Sequence, residues 1–338
     1  MKVLVTGGAG YIGSHMVERL LGNGIEVVII DNLTYGHKEA VLTKAKLIVG
    51  DLGDIESITK LFDEHKFDAV FHFAAFISMA ESVENPKVYF RNNVFCAQNL
   101  LDAMVQFNVK KLIFSSTAGV YGNPKSLPIS EEHECNPTNP YGESKLMVEK
   151  ILHWYDQAYG LKSVSLRYFN AAGASLNGSN GEDHDPETHI IPLAIKTALG
   201  GNSAFEIYGH DYPTKDGTCV RDYIHVIDLV EAHLLALEKL SQQEKSRIYN
   251  VGTGTSYTNK EVVEMVKKVS GVNFPVEMST KRPGDAVELV ASSEKIKKEL
   301  GFVPKYSDLE TIIKTAWDWH KSHPNGFNKF DILTRPKI

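Results

Sequence analysis

Residues 1–31 constrain the fold more than any other stretch of the chain. Lys2-Val3-Leu4-Val5-Thr6 is a short apolar and β-branched run of the kind that forms a buried parallel strand. It stops at Gly7-Gly8-Ala9-Gly10-Tyr11-Ile12-Gly13, which places glycines at the spacing G-x-x-G-x-x-G. Ser14 to Leu21 carries apolar residues at helical spacing, Gly22 and Gly24 end it, and Val27-Val28-Ile29-Ile30 closes on Asp31. Strand, glycine turn, helix, strand and terminal acid is the layout of a dinucleotide-binding βαβ unit. Gly7 permits the tight turn, Gly10 lets the backbone approach a pyrophosphate, and Gly13 lets helix and strand pack closely. The free N–H groups at the helix start then face the phosphates. Asp31 accepts from an adenosine ribose diol and repels a 2′-phosphate, which favours NAD over NADP.

A chain of 338 residues with a net charge of −6 has room for a large α/β domain and a smaller one, and lacks the basic footprint of a nucleic-acid binder. Cys96, Cys135 and Cys219 are scattered and odd in number, which fits neither a disulfide framework nor a zinc cluster, and no metal site is expected. The N-terminus runs straight into the first strand, and no apolar stretch has the length of a membrane span. A cytoplasmic protein follows as the expectation, with the sequons at Asn32 and Asn177 inert.

Beyond Asp31, the polar loop Asn32-Leu33-Thr34-Tyr35-Gly36 is placed to wrap the adenosine end. Lys46 to Gly50 reads as a third strand ending at Asp51-Leu52, where the carboxylate serves an adenine amino group or caps a helix. The cap role falls to Asp54, ahead of the helical pattern Ile55 to Glu64. Ala69 to Phe73 is a fourth strand, with His72 a satisfied core histidine and the small Ala74-Ala75 allowing backbone close to the cofactor. A long helix is expected to begin near Asn92-Asn93. Lys111 to Ser115 is a fifth strand carrying Ser116 and Thr117 at its ligand-facing edge. Pro137 to Tyr159 holds a helix with Tyr141 and Lys145 on one face. Val164 to Asn170 is a sixth strand. The stretch from Ala171 to His189 is a long loop rich in Gly, Asn, Ser and acids. Gly252-Thr253-Gly254 is a plain turn, because no strand and acid complete it as a phosphate loop. Thr258 and Glu261 form a capping box, Gly271 stops that helix, and Trp317 and Trp319 are packing residues. The fold class expected is α/β: a Rossmann-type doubly wound parallel sheet with a smaller α/β substrate-binding domain. The division is 1–170 for NAD and 171–338 mainly for substrate, with about 218–262 returning to the first domain.

Thr117, Tyr141 and Lys145 stand in the order and spacing of a catalytic set. A free tyrosine has a pKa of ~10, too high for a base near neutrality. A lysine ammonium about 6 Å away at an effective dielectric of ~20 favours the phenolate by roughly 3 kcal/mol. An oxidised nicotinamide adds a second positive charge, so Tyr141 is expected to come down towards the useful range. Thr117 can hydrogen-bond the reacting oxygen.

These residues, with VTGGAGYIGSH from Val5, NPYGESKLMVE from Asn139, RYFNAAGA from Arg167, YGHDYPTKDGTCVRDYIHV from Tyr208 and RPGD from Arg282, resemble the extended short-chain dehydrogenase/reductase family in its UDP-sugar 4-epimerase branch. The resemblance covers nearly the whole chain. It implies NAD contacts from Tyr11, Ile12, Asp31, Asn32, Asp51, Leu52, Phe73, Asn92, Lys145 and Phe169. It implies UDP-sugar contacts from Thr117, Tyr141, Asn170, His189, Ile190, Glu206, Ile207, Tyr208, Arg221, Arg282 and Asp285. The two arginines are forked donors suited to a diphosphate. The implied reaction interconverts UDP-glucose and UDP-galactose by oxidation at C4, rotation of the keto sugar and reduction on its other face, with NAD resident. A homodimer through the helices near 93–107 and 143–158 is also implied. Ile77 stands where some relatives have a lysine near the phosphates, and Leu289 where some have a tyrosine. Weaker NAD retention and entry of UDP-GlcNAc are the respective expectations. A 4,6-dehydratase needs acid and base groups beside the threonine, where this chain has Ala118-Gly119. A silent NAD-binding regulator has little need of the Tyr and Lys pair.

Overall fold

The computed structural model of the chain describes residues 1–282 and 286–327. In chain order the strands are β1 (Lys2–Thr6), β2 (Glu26–Asp31), β3 (Lys46–Val49), β4 (Ala69–His72), β5 (Lys111–Thr117), β6 (Lys162–Tyr168), β7 (Asn170–Ala172), β8 (Phe205–Tyr208), β9 (Val220–His225), β10 (Arg247–Val251), β11 (Ser256–Thr258), β12 (Val276–Ser279) and β13 (Glu288–Leu289). The helices are α1 (Tyr11–Gly22), α2 (Ile55–Glu64), α3 (Met79–Glu84), α4 (Pro86–Phe90), α5 (Cys96–Gln106), α6 (Pro140–Tyr159), α7 (Ile190–Ala198), α8 (Val226–Gln243), α9 (Asn259–Ser270), α10 (Glu294–Leu300) and α11 (Leu309–Ser322).

Period-two alternation in β1 decides the layering. Val3 and Val5 enter one hydrophobic cluster with α1 and α8, and Leu4 enters another with α2, α5 and α6. The sheet between them runs β3-β2-β1-β4-β5-β6-β10, and each of its strand pairs is parallel. Reversal of strand order between β1 and β4 opens a crevice at the carboxyl ends of those strands, the place where doubly wound sheets bind ligands. The seventh strand, β10, arrives from much later in the chain through α8. The second body of structure comprises β9 flanked by β11, β13 and β7, the parallel pair β8 and β12, and a core shared by α7, α9 and α11.

Local signals hold where a side chain meets the adjacent backbone. Asp54 accepts from Glu56 N and Ser57 N at the start of α2, Thr258 and Glu261 complete their capping box, and Gly271 ends α9 in the left-handed conformation. Trp319 is buried against Ala40, Ala174 and Phe327. Two expectations need correcting. The helix placed near Asn92 begins earlier, as α4, and continues into α5 through a π-type turn over Arg91–Phe95 that contains both asparagines. Asn170 is not the end of β6; it opens β7, which leaves the large sheet to pair with β9.

Candidate active site

The glycine turn is built to admit a phosphate. Gly7 has φ +70°, and a Cβ there would lie 2.6 Å from Ala74 N. A Cβ on Gly13 would lie 2.1 Å from the Gly7 carbonyl oxygen, a backbone contact that no rotamer relieves. α1 begins without a side-chain cap and has no acid in its first turn, so its leading N–H groups remain for an anion. Asp31, at the end of β2, accepts from Ala9 N at 2.9 Å and Leu33 N at 2.8 Å, one on each carboxylate oxygen. Each oxygen keeps a lone pair for a ribose hydroxyl. Burial raises the Asp31 carboxyl from its ordinary value, and the two backbone N–H donors offset part of that. Beside it the Asn32 amide donates to Asp51 at 2.9 Å.

A cavity of about 450 Å³ extends from this turn along the β1–β4 crevice. Every cofactor residue expected from the sequence lines it except Leu33, whose N–H is spent on Asp31. Thr117, Asn170 and His189 line it as well. A second cavity of about 610 Å³ is lined by Ile190, Glu206, Ile207, Tyr208 and Arg282, and Thr188 borders both. The Arg282 guanidinium lies 3.8 Å from the Tyr208 ring centroid, and the Tyr208 hydroxyl donates to Glu206 at 2.5 Å. Arg221 lines neither cavity; its guanidinium donates to the Val220 carbonyl at 2.9 Å. Asp285 lies outside the described residues.

Thr117 at the end of β5 and Tyr141 and Lys145 in the first turns of α6 converge at the inner end of the first cavity. Pro140 opens the helix and Asn139 caps it through Gly142 N at 2.9 Å, which fixes where both side chains point. Lys145 is 3 % exposed and donates to the Ser115 carbonyl at 2.9 Å. Burial alone lowers its pKa to about 7. Tyr141 is 9 % exposed, and here the structure corrects the sequence reading. Burial raises the phenol above its ordinary value, and the hydrogen bond with Thr117 recovers only part of the rise. Helical spacing brought the two groups together but carried no information about desolvation, which penalises both charged forms.

Behind the trio, Glu149 ties α6 to the sheet. It accepts from Ser116 Oγ at 2.5 Å and from Arg167 Nε at 2.9 Å and Nη2 at 2.5 Å, and all three side chains are buried. Arg167 donates onward to the Tyr121 hydroxyl at 2.9 Å, which donates to Asn250 on β10 at 2.7 Å. His72, as expected, is a core residue, 2.6 Å from Thr6 Oγ1. The Gly252–Gly254 turn is also accounted for: Thr253 N and Gly254 N donate to the carboxylate of Asp222, so its anion is internal.

Sequence reasoning missed Ser115, Tyr168, Ser78, Glu81, Glu182 and His184 among the residues facing the first cavity. Glu182 and His184 belong, with Glu187 and His189, to a four-residue cluster in the 171–189 loop. Burial works against its imidazoliums, but the two carboxylates outweigh that and raise His184 to about 9 and His189 well above its ordinary value. The repeat Glu-x-His-x-x-Glu-x-His was the legible signal.

Known proteins resemble this chain along its length. Residues 3–252 match the NAD dependent epimerase/dehydratase family. A UDP-glucose 4-epimerase of Lacticaseibacillus casei is 51% identical over 327 residues, covering 97% of this chain and 99% of that protein. The crystal structure of UDP-glucose 4-epimerase from Brucella ovis in complex with NAD superposes with a TM-score of 0.91 at 46% identity, covering 94% of this chain and 97% of that one. That from Bifidobacterium longum in complex with NAD+ and UDP gives 0.92 at 38% identity, covering 97% and 100%. A tight glycine turn opening on an uncapped helix start, a buried Thr, Tyr and Lys set lining the same cavity, and kinship along nearly the whole chain agree: the chain belongs to the NAD-dependent epimerase/dehydratase family, alongside the UDP-glucose 4-epimerases.

Proposed function

We infer that the protein is an NAD-dependent 4-epimerase interconverting UDP-glucose and UDP-galactose. The observation that carries this is the convergence of Thr117, Tyr141 and Lys145 at the end of the cofactor-sized cavity, next to the second cavity bordered by Thr188. NAD, when bound, supplies reversible oxidation at the sugar's C4 and the positive charge of its oxidised ring. The chain's own residues do the rest. Tyr141, as the phenolate, takes the proton of the sugar's 4-hydroxyl and, as the phenol, returns it when the keto group is reduced, and Thr117 orients that oxygen. Lys145, held on the Ser115 carbonyl, sets the position of its own charge against the site. Residues 1–170 hold the cofactor, and 171–338 mainly hold the nucleotide sugar. Arg282 grips the diphosphate, with Tyr208 and Glu206 ordering it. Arg221, a step away from either cavity, is a supporting residue. The deciding experiment gives purified protein UDP-galactose and follows UDP-glucose and absorbance at 340 nm together. Product must form without matching NADH; accumulation of NADH in step with product overturns a closed redox cycle.

Three finer readings belong to the same proposal. Leu289 packs, like Phe169, against the cluster of Leu146 and the Ala118–Tyr121 turn; a leucine is smaller than the tyrosine of some relatives, and on that ground the sugar site would admit an N-acetyl group. UDP-GlcNAc turnover measured beside UDP-galactose tests it, and no detectable reaction confines the site to sugars that carry no N-acetyl group. Met147 and Trp154 lie two turns apart on one face of α6, with Trp154 68 % exposed, and Phe95 is exposed nearby in sequence to α5. A second copy of the chain covers this face in a homodimer; a monomeric mass in light scattering at micromolar concentration refutes it. No helix among the described residues is long and apolar enough to cross a membrane, and the three free cysteines suit the reducing cytoplasm.

A further inference from the structure

We propose that Glu182, His184, Glu187 and His189 form a divalent-cation site of the zinc class at the seam between the two cavities. Their four donor atoms lie within 4.8 Å of one another. His184 Nδ1 is 3.1 Å from Glu182 Oε1 and 3.7 Å from Glu187 Oε2. His189 Nδ1 is 3.0 Å from the same Glu182 oxygen and 2.8 Å from Glu187 Oε1. A tetrahedral ion with ligands at about 2.0–2.1 Å sets its donors ~3.3 Å apart. The His–Glu separations lie within a few tenths of an ångström of that, and the widest pair in the cluster, at up to 4.8 Å, would draw in by rotation of its side chains. Two imidazole nitrogens and two carboxylate oxygens are a donor set that zinc accepts.

A second observation points the same way. His184 Nδ1 is fully buried and directed into the cluster, yet makes no aligned hydrogen bond to either carboxylate. The nitrogen thus has carboxylate oxygens within ion-pair distance but no well-aligned acceptor, a geometry that a ligated metal ion would satisfy. The surroundings hold the ligands in place as a metal site requires. Glu187 Oε1 accepts from Thr188 N and His189 N, both at 2.7 Å, and the Tyr11 ring meets His184 edge-on.

All four ligands come from one loop, whose last residue immediately precedes α7. An ion there closes the segment 182–189 into a ring of fixed shape. Because Glu182, His184 and Thr188 all face the cofactor cavity, the ring forms part of its wall. With four protein donors the ion is structural, and no step of catalysis passes through it. The site stands independently of the epimerase reading.

The test uses full-length protein without a histidine tag, stripped with EDTA and dialysed, then titrated with zinc sulfate by calorimetry and metal analysis. One zinc per chain is expected, with a rise in Tm of about 5 °C at a hundredfold excess over Kd. The variants His184→Gln and Glu187→Gln should each lose at least tenfold in affinity. Less than a fifth of an equivalent bound, or unchanged binding in both variants, overturns the proposal. Should the variants not fold, cobalt(II) substitution in the unaltered protein decides. Visible d–d bands without a thiolate charge-transfer band support the cluster, and a thiolate band places the ion on a cysteine and overturns it.

Discussion

Glu149→Ala separates stability from positioning in one substitution. Glu149 is the acceptor for two Arg167 nitrogens and the Ser116 hydroxyl, and the side chains of the ion pair are 4 % and 5 % exposed. Removing it leaves a guanidinium buried without its counterion, a loss of about 3–5 kcal/mol by comparison with other buried pairs. The abandoned Ser116 hydroxyl adds about 1 kcal/mol. Water entering the gap brings the sum towards its lower end, so about 4 kcal/mol is the expected loss. Urea unfolding followed by tryptophan fluorescence reads it as a lower midpoint. Glu134→Ala, which breaks the exposed Lys125–Glu134 pair, is the control and should leave the midpoint where it was. Replacing both buried partners, Glu149→Leu with Arg167→Met, should recover most of the loss. A second readout bears on the site. Glu149 stands one turn beyond Lys145 on α6, and Ser116 precedes Thr117 on β5. The variant should therefore lower kcat for UDP-galactose at least tenfold with little change in KM. A midpoint loss below ~1 kcal/mol would refute the energetic reasoning, and an unchanged kcat in a destabilised but folded variant would refute the positional one.

Other expectations are more briefly stated. Tyr141→Phe should cut epimerisation by ~10²–10⁴ while NAD still binds, and turnover at the normal rate would remove the phenol from the mechanism. Arg282→Met should raise KM for UDP-galactose more than kcat falls, since a diphosphate anchor binds ground and transition states alike; the reverse pattern argues against that role. Ile77, 40 % exposed on the cofactor cavity, adds no charge there, and Lys145 is the sole lysine or arginine among the described residues lining it. NAD should accordingly be lost on exhaustive dialysis, and Ile77→Lys should slow the loss; full occupancy of the unaltered protein after dialysis contradicts this. Burial lowers His72 to about 3 and His225 and His233 to about 4. Unfolded histidines protonate near ~6.5, so below that pH the unfolded state gains protons that the folded state does not. Each ring then removes about 1.4 kcal/mol of stability per pH unit until its folded pKa is reached. The urea midpoint should fall steadily from pH 6.5 to pH 5, and a level midpoint there denies that these rings are buried neutral.

What could be read from the sequence follows from the range of the forces involved. β1, the glycine turn and α1 were legible because period two, period 3.6 and the glycines all act within a few residues. The caps at Asp54 and Thr258 were legible for the same reason. The π-type turn at Arg91–Phe95 leaves no mark in composition, so the helix start was misplaced to the asparagines inside it. Spacing put Tyr141 beside Lys145 correctly, but the desolvation that raises the phenol depends on strands and loops far away in the chain. The carboxylate that fills the Gly252–Gly254 turn comes from Asp222, and only the packing of β9 brings it there. Glu182 and His184 were passed over although their Glu-x-His-x-x-Glu-x-His spacing is visible, because the 171–189 loop has no helix or strand period to say that these side chains face one another.

The late arrival of β10 has a consequence for biosynthesis. As the chain leaves the ribosome, β6 emerges with one side unpaired and stays so until Arg247–Val251 has been made. An open strand edge of this kind invites pairing with any neighbouring chain. A fragment ending at residue 170 keeps that edge permanently bare and also lacks α8, whose apolar face covers the sheet. Such a truncation should precipitate rather than yield a free-standing nucleotide-binding module, so the two halves of this chain are partners in folding before they are partners in function.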